Sequence, residues 1–358
     1  MRTATDLIRI LAGEIGVRQC GTAAAADAAD AIVAAFRELG LEPRFQEFPL
    51  LRYDAEEPEL WIDGERWRAG PCMYAHAGEC EGVVEELSDG LWAVGEGRLA
   101  RSIFGRGPIP FGGRFTLAGH IATPPTAFLS RADSARLRPG QHARLVVRGS
   151  FVDGQRDRNV VARIAGTSQD RVVVGAHYDS VWRGPGAIDN ATGVEGLRRI
   201  AAHFAGTEPA RTIELVAFGA EEIGLVGARR FVADAQDRRS LGSIAAMVNL
   251  DCIGYGETLQ LLCSPPALLD RAREAAARLG FTDRYQVVTE LGQDAGTDHL
   301  PFAQAGIPAV SILHFPYEEY HLPEDTLELV DDRRLEDAVA LGIDLVQSLV
   351  DDPVQRAA

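Results

Sequence analysis

The chain has 358 residues, 46% of them hydrophobic and 25% charged, the make-up of a packed globular protein and not of a disordered, fibrous or disulfide-stapled one. Its formal net charge is −16 with a pI near 5.0, which disfavours nucleic-acid phosphates and anionic lipid as partners over most of the surface. All 36 basic residues are arginine, so chemistry that needs a Schiff-base or phosphate-cradling lysine is excluded.

This length predicts one large and one smaller domain. The cysteines Cys20, Cys72, Cys80, Cys252 and Cys263 are odd in number and lack a CxxC pair, so they read as small buried hydrophobes and not as a disulfide framework or a thiolate zinc knuckle. The opening MRTATDLIRILAGEIG has helically spaced apolar residues broken by Asp6, Arg9 and Glu14, which is not a signal-peptide pattern. No run approaches the roughly 18 to 20 apolar residues of a membrane span. The expectation is a cytoplasmic protein without membrane contact.

Residues 1–40 predict two helices separated near Gly16 to Gly21, the second, TAAAADAADAIVAAFRELG, closing at Gly40 as a C-cap. A strand-like RFQEFPLLRY follows. From about 55 to 156, short apolar runs alternate with glycine and proline turns, as in GECEGVVEEL, GRFTLAGHIA and QHARLVVRGSF, and predict a β-rich module. After Arg158, strand-like NVVARIAG, RVVVGAH, TIELVAFG, IAAMVNL, LQLLCS, RYQVVTE and IPAVSIL alternate with helical ATGVEGLRRIAAHFAG, LVGARRFVADAQ, PALLDRAREAAARLG, a short helix near His299 and a closing helix from about Asp332 to Val350. The predicted fold is α/β: a mixed, mostly parallel sheet with helices on both faces, formed by residues 1–55 and 157–358, with 56–156 inserted as a smaller β-rich domain.

In such sheets the ligand site lies beyond the carboxyl ends of the strands. RVVVGA ends in His177, followed by Tyr178 and Asp179; TIELVAFGA ends in Glu221 and Glu222; IAAMVNL ends in Asp251. Asp189 and Asn190 sit in the turn GPGAIDNATG, where a helix N-cap is the ordinary explanation, and His321 sits in the loop EEYHLPEDT, where a surface histidine is. Taken singly, each residue has such an explanation. Taken together, two histidines and several carboxylates converging on one sheet edge form the mixed nitrogen and oxygen set that zinc takes.

The segments GAHYDS, AIDNATGVEG, FGAEEIGLVGARRF, VNLDCIG, TDHLPFAQAGIPA and YHLPEDT resemble, in order, the motifs of the M28 family of zinc peptidases, and IGVRQCGTAAAADAADAIVAAFRELG is similar to the family's N-terminal helix. By that resemblance the chain is a metallo-aminopeptidase acting on peptides with two Zn2+, for which Co2+ or Mn2+ could substitute. It implies that one metal takes His177 and Asp251, the other Glu222 and His321, and that Asp189 bridges both. Glu221 would be the general base for a metal-bridging hydroxide. Asp179 is where a carboxylate could hold the His177 imidazole in the tautomer that leaves its ligating nitrogen bare.

Asp298 and His299 in TDHLPF are expected to organise the wall of the site, and His76, His120, His142, His203 and His314 match no motif position. The sequon Asn190-Ala191-Thr192 falls inside the metal turn and is not read as glycosylated. TPPTAFLSRADSARLRPGQHARLVV resembles the tail of a protease-associated domain, so the insertion is read either as a lid beside the metal cleft or as a passive or oligomer-forming insertion. The alternatives are a single-zinc glutaminyl cyclase, a carboxypeptidase with an arginine in its pocket, or an inactive binding protein on the same scaffold. No oligomeric state is implied.

Overall fold

The computed structural model describes residues 6–102, 124–282 and 296–351, with short pieces at 107, 111–112, 115–116, 119–120, 284 and 287–290. Parts of the sequence runs GRFTLAGHIA and RYQVVTE lie outside the described residues.

Eight strands form the main sheet: β1 (Arg44–Ala55), β2 (Gly149–Ile164), β3 (Ser168–His177), β4 (Arg211–Phe218), β5 (Ile244–Leu250), β6 (Thr258–Ser264), β7 (Val287–Glu290) and β8 (Ala309–Phe315), in the order β1-β2-β4-β3-β5-β8-β6-β7. The central strands β4, β3, β5 and β8 run parallel. β1 with β2, β2 with β4, and β8 with β6 are antiparallel. β6 with β7 is parallel as well, so among the described residues four of the seven strand pairs are parallel, and the sheet is mixed and mostly parallel as expected.

The helices α1 (Ala23–Glu38), α2 (Thr192–Phe204), α3 (Val226–Asp237), α4 (Pro266–Arg278), α5 (His299–Gln304) and α6 (Asp332–Asp351) cover both faces. Side chains alternate across a strand, so Val172 and Val174 of β3 join one core with α1, α2, α4 and α6. Val173 joins another with Phe231 and Phe302 of α3 and α5. Burial on both sides is why these strands read as continuous apolar runs.

A second, nine-stranded sheet runs from Glu59–Ile62 to His142–Val147, with a core that includes Leu60, Val84, Leu99 and Leu145. The boundary expected at 156 falls inside β2, which is continuous. Asp153-Gly154 forms a β-bulge in it: Leu50 pairs with Gln155 and Arg52 with Val152, and Gly154 has φ 70. Glycine takes that conformation without the steric penalty of a side chain.

Candidate metal centre

His177 ends β3, Asp251 follows β5, Glu221 and Glu222 follow β4, and His321 lies in the loop after β8. The parallel central strands therefore bring all of these to one edge. Asp189 reaches the same place from the turn Ala187–Ala191 before α2. Gly193 lets that turn press on β5, since a Cβ there would stand 2.5 Å from the Leu250 carbonyl oxygen.

Asp189 is the centre of the arrangement. Its Oδ1 lies 3.0 Å from His177 Nε2 and its Oδ2 lies 3.2 Å from His321 Nε2. His177 Nε2 is also 3.5 Å from Asp251 Oδ1, and His321 Nε2 is 3.1 Å from Glu222 Oε2. The groups His177, Asp189, Asp251 and Asp189, Glu222, His321 each offer donor atoms within 4.8 Å of one another. The structure thus brings together all five residues expected as ligands.

The surrounding backbone is fixed by buried polar groups. Both oxygens of Asp179 accept backbone amides, Oδ1 from Glu221 at 3.0 Å and Oδ2 from Glu222 at 3.2 Å. His177 Nδ1 faces the Asp179 carbonyl oxygen at 3.2 Å and its carboxylate at 3.7 Å. The carboxylate expected to hold the imidazole therefore serves first as an anchor for the Glu221 loop, and the carbonyl is the nearer partner of the ring.

Asn190 donates to the Leu250 carbonyl at 2.9 Å and accepts from the Gly193 and Cys252 amides at 2.9 and 3.2 Å, tying the Asp189 turn to the Asp251 strand end. It is fully buried, so its sequon is not exposed. Ala220, Cys252 and His321, each at or beside an expected ligand or base, have φ of 57, 50 and 58. Non-glycine residues hold this conformation only where the surroundings enforce it, which is common at functional sites.

Two supporting residues, Asp325 and Arg18, lie in the segments YHLPEDT and IGVRQCG, but the sequence assigns neither a role. Asp325 accepts the Ile188 amide at 2.8 Å and the Asp189 amide at 3.0 Å, and burial pushes its carboxyl up to about 7. Arg18 is completely buried and donates to the carbonyls of Tyr178 at 2.9 Å, Leu11 at 3.1 Å, Gly16 at 2.7 Å and Gly186 at 2.9 Å, as well as to that of Pro185. It staples the N-terminal helix to the two loops that carry His177 and Asp189. Burial lowers its guanidinium to about 10. Arg18 lies in the segment similar to the family's N-terminal helix, a likeness that says nothing about its partners.

Asp298 is fully buried, and among the described residues neither of its carboxylate oxygens has a hydrogen-bond partner. His299 is buried with Nδ1 2.5 Å from Thr297 Oγ1. His142 is exposed near Glu81, and His314 is buried with Nδ1 accepting the Gly254 amide at 3.2 Å. All five cysteines are buried free thiols.

The electrostatics fit a cation site. Burial raises Glu221 well above its ordinary value, with Glu222, Asp298 and Asp251 adding to the effect against His177. Burial likewise raises Glu222 to about 7. Burial alone would lower both imidazoles, but Glu221 and Asp251 hold His177 well above its usual range, and Glu222 and Asp189 raise His321 to about 10. Buried carboxylates crowded this closely are tolerated when positive charge sits among them. Glu222 Oε1, buried and without a hydrogen-bond partner among the described residues, is one donor left over for it. The mixed imidazole and carboxylate set suits zinc.

A cavity of about 970 Å³ opens between the second sheet and the main sheet, lined by Gly90, Arg101 and Arg131 on one side and Phe315 and Tyr317 on the other. Tyr317 belongs to an aromatic group with Phe315 and Tyr320, and Tyr320 stacks on His321 at 3.9 Å.

Residues 159–346 match the model of peptidase family M28, a stretch that holds every expected ligand. The chain belongs to peptidase family M28. Among curated proteins, this M28 chain is 32% identical over 202 residues to aminopeptidase YwaD of Bacillus subtilis, which covers 52% of the chain and 42% of that relative. It therefore spans less than half the length of that relative. Its fold is similar to that of a zinc aminopeptidase from Bacillus subtilis, with a TM-score of 0.73 and 23% identity over 96% of this chain and 93% of that one. It is also similar to an Acidobacteriales glutaminyl cyclase, with a TM-score of 0.60 and 18% identity over 97% and 93%.

Proposed function

We propose that this M28 chain is a metallo-aminopeptidase that binds two zinc ions and hydrolyses the first peptide bond of peptide substrates. The observation that carries this reading is the position of Asp189, whose two oxygens each reach a different imidazole. A carboxylate so placed suits a ligand shared by two ions. His177 and Asp251 would complete one ion's set, and Glu222 and His321 the other's.

Two zinc ions bound there would acidify a water and polarise the scissile carbonyl. Glu221 takes the proton of the attacking water and returns it to the departing amine, which needs no covalent link to the chain. Its burial and its acidic neighbours strengthen it as a base. Asp179 positions Glu221 and Glu222 through their amides and keeps His177 Nδ1 turned away from the metal side. In this reading, residues 56–156 form a lid over the cavity beside Tyr317 and limit access to short peptides or free chain ends.

A single-zinc glutaminyl cyclase is the second reading, favoured by the fold likeness to such an enzyme. The two are separated by turnover of a panel of aminoacyl, carboxyl-blocked and N-terminal glutaminyl peptides. Hydrolysis of carboxyl-blocked aminoacyl substrates supports the aminopeptidase. Cyclisation of glutaminyl substrates without hydrolysis, or a requirement for a free carboxylate, refutes it.

A further inference from the structure

At the opposite edge of the main sheet, where β3, β4 and β5 begin, arginines gather on one carboxylate. Glu214 of β4 is 1% exposed. Its Oε1 accepts Nε and Nη2 of Arg163 at 2.8 and 2.7 Å and lies 3.9 Å from Arg44 Nη2. Its Oε2 is 2.7 Å from Arg171 Nε. Arg163 and Arg171 therefore occupy both oxygens of Glu214, and Arg44 reaches it only as a third, longer ion pair.

Arg238 stands at the same place with Asp234 4.0 Å away, while Asp234 Oδ2 already accepts Gln46 Nε2 at 2.7 Å. These groups line a cavity of about 330 Å³. Four guanidiniums face two carboxylates there, a surplus of two positive charges in a chain whose net charge is −16. Burial lowers Arg44, and crowding by Arg163 and Arg238 lowers it further against the pull of Glu214. Like charges gathered at one cavity are stabilised by a bound anion.

We propose that this cavity binds a small doubly charged oxyanion, either inorganic phosphate or the phosphate group of a monoester, between the guanidiniums of Arg44, Arg163 and Arg238. The planar forks of arginine match phosphate oxygens two at a time. Gln169, also on the cavity wall, adds a neutral donor. The volume lies at the lower end of the roughly 300 to 1,000 Å³ of small-molecule pockets, enough for a phosphate with a small organic group. The site is separate from the acidic cluster and does not depend on the reaction proposed there.

The test is calorimetric titration of the metal-loaded full chain with inorganic phosphate and, separately, with ribose 5-phosphate at fixed ionic strength. Because phosphate also ligates zinc, each titration is repeated on the double variant Arg44→Gln with Arg238→Gln. Saturable binding that weakens at least about tenfold in this variant, the scale of one lost charge-assisted hydrogen bond, supports the site, with hydrolytic turnover in phosphate-free buffer unchanged. Tighter binding of ribose 5-phosphate assigns the site to monoesters, and equal binding assigns it to free phosphate. Glu214→Gln removes a competing negative charge and should tighten binding. No saturable binding to the wild type, or equal binding by the double variant, overturns the proposal.

Discussion

The carboxylate of Asp325 holds the backbone amide of Asp189 at 3.0 Å while the side chain of Asp189 reaches both imidazoles. One acidic residue thus aims another. Asp325→Asn replaces an oxygen that accepts an amide with an NH2 group that cannot. The expected result is a loss of roughly 10- to 100-fold in zinc affinity, the scale for a lost outer partner of a metal ligand, measured by competition with a chromophoric chelator. Unchanged affinity would show that the turn holds Asp189 without Asp325.

Arg18 donates to five backbone carbonyls from a fully buried position. Arg18→Met leaves those carbonyls unpaired and should lower unfolding free energy by at least about 3 kcal/mol, the scale of losing more than one hydrogen bond to a charged group. Urea denaturation of the metal-stripped protein measures it. A loss under about 1 kcal/mol would mean that the loops repack or admit water.

His314 supplies a pH dependence away from the acidic cluster. Burial and then Arg334 lower it to about 4, against Asp337 and Asp331, whereas the unfolded side chain titrates near about 6.5. Between those values the unfolded state binds a proton that the folded state refuses, so stability is full above pH ~6.5 and falls as pH drops toward ~4. The loss is about 2 to 3 kcal/mol over that window. Denaturation of the metal-stripped protein at several pH values should show a shallower acid slope in His314→Gln than in the wild type. Equal slopes would remove His314 as the cause.

Ala55 and Gly149 are register partners at the end of the β1/β2 ribbon, so the chain between them can be replaced by a short turn. Such a deletion of the second sheet should leave a folded protein that hydrolyses longer peptides than the parent, read by comparing rates on a length series. An unchanged length preference would argue against the lid.

Much of the fold is legible in the sequence because the strands at the metal edge are apolar on both faces and the helices end at glycines such as Gly40 and Gly280. The ligand residues are legible because they follow those strands directly. Strand neighbours are not legible: β2 lies beside β4 and not β3, a tertiary choice that local pattern does not encode. Nor is the continuity of β2 across residue 156, where Asp153-Gly154 is accommodated as a bulge. Arg18 and Asp325 act through backbone groups far away in the chain, and single-residue chemistry gives no sign of such partners.

The claim that Asp189 joins two metals is tested most directly by adding zinc stepwise to the metal-stripped chain while following hydrolysis of a carboxyl-blocked aminoacyl substrate. Activity should rise to an end point at two equivalents per chain. Glu221→Gln should still take up both equivalents, with turnover lower by roughly two to four orders of magnitude. An end point at one equivalent would contradict the claim.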